Sequence, residues 1–348
     1  MAKCVTAIVK RSTNGAGLTV GVTTRNRPQS LLRCLASLDL LGDLITEVIV
    51  VDDSSSVPVA QSLADLRPSM GAKLRVVRQN GAEGYIVARN TIMRLATNDY
   101  VLLMDDDAYL LHAAGVSQAL SVMERHAEVA AIACAQAEAD GQPWPATMQP
   151  APVSYRCRVA AYIGFAHLLR RRAFQEVGGY REELHFYGEE KDLCARFLKA
   201  GYQIVYMPDV LIAHVPDPAG RSNARYLRYV VRNDCLFALH NLPWLAACVS
   251  FPVRLARYFS MRRICPVRDP TGFFWIVWHL VRALPSVLRI RTPMTWSELA
   301  EWRRLRRQPP AWYPRPLPAA PRSADAGATR ITVGITTRDR HASLAKGL

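Results

Sequence analysis

Residues 100–107 read Tyr-Val-Leu-Leu-Met-Asp-Asp-Asp, five residues with no solvent-facing break followed by three carboxylates. A strand without polar alternation is covered on both faces, which is the pattern of a parallel sheet flanked by helices. One or two Asp at its end would read as an exposed turn capping the next helix. Three in a row repel one another, and a hard divalent cation is the usual means of holding them together. Mg²⁺ or Mn²⁺ suits such oxygen donors and also neutralises a diphosphate.

The same alternation extends outward. Residues 18–23 (LTVGVT), 47–51 (EVIVV) and 73–78 (KLRVVR) predict strands. Residues 28–38, with Leu31, Leu32, Leu35 and Leu38 at helical spacing, and residues 85–96 predict helices. Strands alternating with helices give an α/β fold with a doubly wound, mostly parallel sheet, whose ligands bind beyond the carboxyl ends of the strands. That edge carries residues 23–28 (TTRNRP), 52–56 (DDSSS) and 105–107 (DDD). Residues 81–84 (GAEG) fit neither a dinucleotide fingerprint nor a phosphate-binding P-loop, so nicotinamide and ATP chemistry lose support.

These motifs, in this order, resemble family 2 glycosyltransferases of the GT-A fold, inverting enzymes that use nucleotide-diphosphate sugars. The resemblance runs from about Leu18 to Arg232. Residues 50–55 (VVDDSS) look like the family's nucleotide-contacting strand end, 80–90 (NGAEGYIVARN) its Gly/Arg segment, and 103–108 (LMDDDA) its D-x-D metal motif. It implies that Asp105 and Asp107 face nucleotide and metal, with Asp106 beside them, and that Thr23, Arg25, Asp52, Asp53, Gly84 and Arg89 hold base, ribose or diphosphate. In the second half, residues 187–196 (YGEEKDLCAR) are similar to the family's G-E-D-x-D-L segment, whose second acid is the general base. That places the base on Glu190, with a Glu where the family has Asp, and leaves Glu189 and Asp192 as rivals. Asp192 with Arg196 four residues on also reads as a plain helical ion pair. His214 falls where some members place a third metal ligand, although a lone His near a strand end is commonly structural. Arg221, Arg225 and Arg232 follow and could meet a diphosphate or belong to a basic face. The implied partners are a nucleotide-diphosphate sugar donor and a glycan or glycolipid acceptor, as in bacterial cell-surface synthesis by rhamnosyl- and galactofuranosyltransferases.

Two other classes share these features. A nucleotidyltransferase would use the same sheet and metal-binding Asp residues but needs a Gly/Arg-rich triphosphate loop, and residues 20–28 lack the glycines. An inactive sugar-nucleotide-binding module would not need both acid clusters.

The chain has 348 residues, half of them hydrophobic, and a formal net charge of +15. Residues 221–322 hold 18 Arg, no Lys and four acids, so +14 of the charge sits there, among Trp244, Trp275, Trp278, Trp296 and Trp302. Arginine interleaved with Trp and Leu reads as a surface for anionic lipid headgroups, not for nucleic acid. A solvated face on a helical subdomain explains the charge nearly as well. Thr295 and Glu298 predict a capping box opening a helix whose Trp296, Leu299, Trp302 and Leu305 would form the membrane stripe. The apolar run 272–288 contains His279, Arg282 and Pro285 and reads as too short and too polar to span. The eight scattered cysteines make no Cys-x-x-Cys pair and, with no apolar N-terminal segment, suggest a reducing, cytoplasmic setting, peripheral at the inner face of the membrane.

Finally, residues 18–35 (LTVGVTTRNRPQSLLRCL) and 331–348 (ITVGITTRDRHASLAKGL) match at ten of 18 positions. The expected organisation is therefore a GT-A domain at 18–235, a basic Trp-rich helical extension at 236–307, a Pro-rich linker at 308–330 and the start of a second, incomplete repeat at 331–348. On this reading the chain is either a truncated tandem enzyme or a fragment of a longer gene product, and removal of residues 308–348 leaves the first domain unchanged.

Overall fold

The computed structural model describes residues 17–63, 73–216, 222–264 and 267–313. The repeat at 331–348 and Arg221 lie outside the described residues.

The apolar runs form strands as predicted: β1 (Leu18–Thr24), β2 (Ile45–Asp52), β3 (Leu74–Arg78) and β4 (Tyr100–Asp105). They lie parallel in the order β3-β2-β1-β4. The connections carry α1 (Pro28–Ser37), the single turn α2 (Val59–Ser62) and α3 (Tyr85–Leu95). Because strand side chains alternate, the continuous apolar runs feed two cores at once. Val48, Val50, Leu102 and Met104 pack in one, and Ile49, Val51, Val101 and Leu103 in the other. This double burial is why the runs have no polar phase.

Beyond β4 the sheet adds the antiparallel strands that keep it mostly, and not wholly, parallel. The chain turns back at once through β5 (Ala108–Leu110), followed by α4 (Ala113–Arg125), β6 (Val129–Ala137), the short β7 (Cys157–Arg158) and β8 (Ala166–Arg170). The short helix α5 (Arg171–Glu176), then α6 (Glu189–Lys199) and β9 (Gln203–His214) complete this half. Strand β8 runs antiparallel between β4 and β6, β9 runs parallel to β6, and β5 runs antiparallel to β9. The last pairing sets Ala108 opposite His214, which brings the distant histidine to the acid cluster.

The C-terminal helices are α7 (Asn223–Asn241), α8 (Trp244–Ile264), α9 (Gly272–Ile290) and α10 (Trp296–Arg307). The capping box at Thr295 and Glu298 forms as the sequence predicts. Its helix faces the other way from expectation. Leu299, Trp302 and Leu305 are buried with Ala195, Phe237 and Ala238, so the stripe of α10 is a core stripe, and Trp296 alone of the four is exposed.

The linker boundary also needs correction. Trp312 is buried, its ring centre lies 5.1 Å from that of His126 in an edge-to-face contact, and its indole N–H reaches Gln203 Oε1 at 3.2 Å. Arg158 N–H donates to Pro310 O at 2.9 Å, and Trp312 N–H to Arg156 O at 2.8 Å. Residues 308–313 are therefore an integrated edge of the first domain, and a cut at 308 would remove a core aromatic.

Candidate active site

The loops leaving β1, β2 and β4, the start of α3, the segment before β8, the segment before α6 and the start of α7 enclose a cleft of about 860 Å³. Its walls include Thr23, Arg25, Asp53, Gly84, Arg89, Asp105, Asp106, Asp107, Glu189, Glu190, His214 and Arg225, so the expected site residues converge with few exceptions.

The cleft is built on strained backbone. Asn26, Ser54, His185 and Tyr187 have φ of 58°, 59°, 55° and 64°, and all four sit in loops that border it. Such conformations persist only where neighbours hold them. Ser56 N–H donates to Asn26 Oδ1 at 2.7 Å, and Asn26 N–H to Ser55 Oγ at 2.9 Å, stapling the first loop to the second. Asp53 Oδ1 accepts from Gly84 N–H at 3.0 Å and ties the second loop to the start of α3.

Asp52 departs from its expected role. It is buried, one oxygen accepts from Ser55 N–H at 2.8 Å, and the other meets the Val59 N–H at 3.3 Å and Arg78 at 2.8 Å. It shapes the loop and does not line the cleft; Asp53 does.

The three consecutive aspartates resolve their mutual repulsion by facing different partners. Asp105 Oδ1 accepts from Arg89 Nη2 at 2.7 Å. Asp106 accepts from Thr24 Oγ1 at 2.7 Å and from Arg27 Nη1 at 3.3 Å. Asp107 lies 3.4 Å from Arg27 and, through Oδ1, 3.6 Å from His214 Nε2. Burial raises Asp105 while Arg89 pulls it down, and burial pushes Asp106 up to about 7. His214 is stacked between Trp144 and Phe165, with ring centroids 5.4 and 4.9 Å away, and its Nδ1 sits 2.7 Å from Gln136 Oε1. A ring fixed on both faces, with one nitrogen engaged and the other toward a carboxylate, is how a ligand histidine is oriented.

Arg89 is not a loose diphosphate contact but the buried hub of the site. It donates to Glu189 Oε1 at 2.9 Å, to Asp105 and to Gly164 O at 2.7 Å, with its guanidinium 4.6 Å from the Tyr85 ring centre. A Cβ on Gly164 would meet Glu190 Oε1 at 2.3 Å and Arg89 Nη1 at 3.1 Å, so a side chain here would displace the Glu190 carboxylate from its present position.

The helix α6 separates the three rival acids. Asp192 is buried away from the cleft, salt-bridged to Arg196 at 2.9 Å and Arg181 at 3.1 Å and accepting from Asn241 at 2.7 Å. Burial opposes its ionisation, but Arg196, Arg181 and Asn241 together hold it below the usual carboxylate range. Glu189 is fully buried, with Arg89 on one oxygen and the Tyr85 hydroxyl donating to the other at 3.0 Å. Burial and the neighbouring Glu190 push Glu189 upward, while Arg89 pulls against them. Glu190 is partly open, lines the cleft, and is raised chiefly by burial.

Several groups escaped the sequence reading. Tyr85 both positions Glu189 and accepts the Tyr187 N–H at 2.8 Å. Asn233 donates to the carbonyls of Leu184, Phe186 and Tyr187 at 2.9, 2.8 and 2.6 Å, holding the strained loop before α6. Arg232, open in the sequence between a diphosphate contact and a basic face, is neither: it donates to Glu183 O and Leu184 O and is buried. Arg225 does reach the cleft, 4.5 Å above the Phe186 ring. The dipeptide Phe186-Tyr187 before Gly188 was visible in the sequence, but nothing in it marks Asn233.

The profile of Glycosyl transferase family 2 matches residues 19–178, and that of Glycosyl transferase family group 2 matches residues 100–288. The chain belongs to the family 2 glycosyltransferases. Family membership agrees with the GT-A architecture and with the convergence of both acid clusters on one cleft. A pre-mycofactocin glycosyltransferase of Mycobacterium tuberculosis is 31% identical over 213 residues, covering 57% of this chain and 42% of that protein. The chain thus spans less than half the length of that relative. An N-acetylglucosaminyl-diphospho-decaprenol L-rhamnosyltransferase of the same organism is 25% identical over 276 residues, covering 68% of this chain and 88% of the relative. Among solved structures, the mannosyltransferase PcManGT of Pyrobaculum calidifontis, in complex with GDP-Man and Mn²⁺, matches the fold with a TM-score of 0.51 at 16% identity, covering 83% of this chain and 79% of that one.

Proposed function

We propose that this family 2 glycosyltransferase moves a sugar from a nucleotide-diphosphate sugar to an acceptor hydroxyl with inversion, with a divalent cation at the diphosphate and Glu190 as the general base. The observation that carries this reading is the division of labour on α6: Glu190 opens to the cleft, Glu189 is clamped by Arg89, and Asp192 is withdrawn into the core.

In-line attack on the anomeric carbon needs a carboxylate to accept the acceptor proton as the new bond forms and the diphosphate leaves on the opposite side. Glu190 stands at the cleft wall for that role, and a carboxyl raised by burial is a better base than an exposed one. Glu189 and Glu190 titrate as a pair, and Arg89 keeps the negative charge of the pair in place. Thr23, Asp53 and Gly84 line the nucleotide end, and Arg25 and Arg225 bring positive charge to the leaving diphosphate.

Among the described residues no three of His, Cys, Asp and Glu form a ready cation cluster. Asp107 and His214 do face each other, and Asp105 borders the cleft with about one-third (32%) of its side chain exposed while paired to Arg89. Two oriented protein donors, completed by diphosphate oxygens and water, suit Mg²⁺ or Mn²⁺, which characteristically keep waters and substrate phosphates in their shell. The cation would neutralise charge on the departing diphosphate. The Mn²⁺ and GDP-Man in the mannosyltransferase complex support this reading, and the decaprenol-linked relative supports a glycan or glycolipid acceptor of the cell envelope. The test is turnover of a panel of nucleotide sugars with and without divalent cation. Release of free nucleoside diphosphate that depends on the cation and on Glu190 is the expected result.

A further inference from the structure

The helix expected to lie on a membrane, α10, is turned inward; another surface carries the property it was expected to supply. Helices α8 and α9, which both pack on α7, each expose an apolar stripe. Leu245, Val249 and Val253 on α8 recur at i, i+4 and i+8, and Phe274, Trp278 and Val281 on α9 at i, i+4 and i+7. All six are between 58% and 74% exposed. Helical spacing places each set on one side of its helix, and a patch of this kind is rare on a soluble monomer unless something covers it.

The charges around this face identify what covers it. Arg263, Arg268, Arg282 and Arg289 are exposed, and among the described residues none of them has an acidic partner. The region's acids are committed elsewhere: Asp234 to Lys191, Arg254 and Arg257, Asp269 to Arg228, Glu298 to the cap of α10 and Glu301 to Arg158 and Arg304. A second copy of this chain would bring the same unopposed positive charge to the contact, whereas an anionic lipid surface complements it. The opposite side of α9 is already used. Ile276, Leu280 and Val287 are buried in the core, so although α9 is by length and composition alone long and apolar enough to cross a membrane, its apolar surface is divided between protein and solvent, with Arg282 and Arg289 exposed along it. A helix with one face in protein and one face apolar, edged by arginine, lies in an interface and does not cross it.

We infer that the α8–α9 face docks this protein on an anionic bilayer and sets the mouth of its cleft against the headgroup layer. Tyr229, in the cleft wall, packs with its ring 5.2 Å from Trp275, and Trp275 is flanked on α9 by the exposed Phe274. The apolar face therefore begins about one side chain from the cleft. A hydroxyl-bearing headgroup on a lipid anchor is the acceptor class this placement serves. That consequence rests on the proposed transferase reading; the docking itself does not.

The experiment is flotation of the full chain with vesicles of phosphatidylglycerol and phosphatidylcholine, and with phosphatidylcholine alone, at low and high salt. Donor hydrolysis in solution and oligomeric state are measured on the same samples. The wild type is expected to float with the anionic vesicles at low salt, less at high salt and less with phosphatidylcholine alone. Phe274→Ser with Trp278→Ser is expected to weaken partitioning by at least about tenfold, and Arg282→Glu with Arg289→Glu to abolish the preference for anionic lipid. Both variants change exposed residues outside the cleft and are expected to hydrolyse donor at the wild-type rate. Wild type that fails to float while hydrolysing donor normally overturns the docking and leaves the proposed function intact. An apolar variant that floats like wild type also overturns it. So does a wild-type dimer that Phe274→Ser with Trp278→Ser converts to monomer, because the face would then be a self-interface.

Discussion

Two acidic runs, Asp105-Asp106-Asp107 at the end of β4 and Glu189-Glu190 with Asp192 on α6, look interchangeable as clusters of charge but behave differently. In the first, extended backbone and a tight turn into β5 splay neighbouring carboxylates toward three partners from three parts of the chain: the guanidinium groups of Arg89 and Arg27 and the imidazole of His214. In the second, helical geometry sends residues two apart to opposite sides, so Asp192 enters the core while Glu190 meets the cleft. Charge density along a sequence therefore marks a site, but backbone type decides which carboxylate acts there and which holds the structure.

Substitutions that break this division should rank in size accordingly. The largest effect belongs to Asp107→Ala, which removes one of the two facing donors; cation-dependent turnover of donor should fall below detection while the melting temperature holds. Wild-type turnover without added divalent ion would remove the cation from the account.

Glu190→Gln comes next. It should bind donor normally and lose about two to four orders of magnitude in transfer, the usual worth of general-base assistance. Because burial raises Glu190 above the ordinary glutamate range, the wild-type rate should climb with pH through that raised value and then level, as the base becomes ionised. The variant should lose that limb; an unchanged limb would assign it to another group.

Asp192→Asn should act on stability and not on chemistry. Breaking a buried pair costs about 3 kcal/mol, with kcat changed little in the surviving folded protein. The pH dependence follows from its depressed folded pKa. Above the unfolded value, about 3.9, the carboxylate contributes its full stabilisation, and this is lost as pH falls through the lower folded value. Acid unfolding of the variant should lack this component. A large fall in kcat with unchanged melting would return Asp192 to the catalytic candidates.

The smallest effect is expected for Asp106→Asn. The amide oxygen can still accept from Thr24, and the charge and the acceptor opposite Arg27 are lost, so transfer should fall by less than about tenfold, consistent with a single polar contact. A loss matching that of Asp107→Ala would show that the two acids act as one unit.

The first four strands, both flanking helices and the ligand edge were legible because double burial leaves continuous apolar runs and because the acid cluster stands at a strand end. What the sequence hid was set by tertiary partners. Asp52 and Asp53 are identical side chains in adjacent positions, and only the packing of Arg78 and the Val59 turn makes the first structural. Arg89 became a buried hub because Gly164 leaves room beside it. The stripe on α10 and the stripe on α9 both recur at helical spacing, and one meets Phe237 and Ala238 while the other meets solvent. Amphipathic spacing names a face without naming what lies against it. The docking of Trp312 was equally invisible behind a proline-rich composition.

The central claim is that Glu190 and the Asp107–His214 pair serve one transfer reaction in one cleft. The measurement that tests it most directly is product analysis of a nucleotide-sugar panel with Mn²⁺, run in parallel on wild type and Glu190→Gln. The account predicts free nucleoside diphosphate from at least one donor with the wild type, and its loss in the variant with donor binding retained. Pyrophosphate as the product, donor binding with no turnover in the wild type, or wild-type turnover in the variant would contradict it.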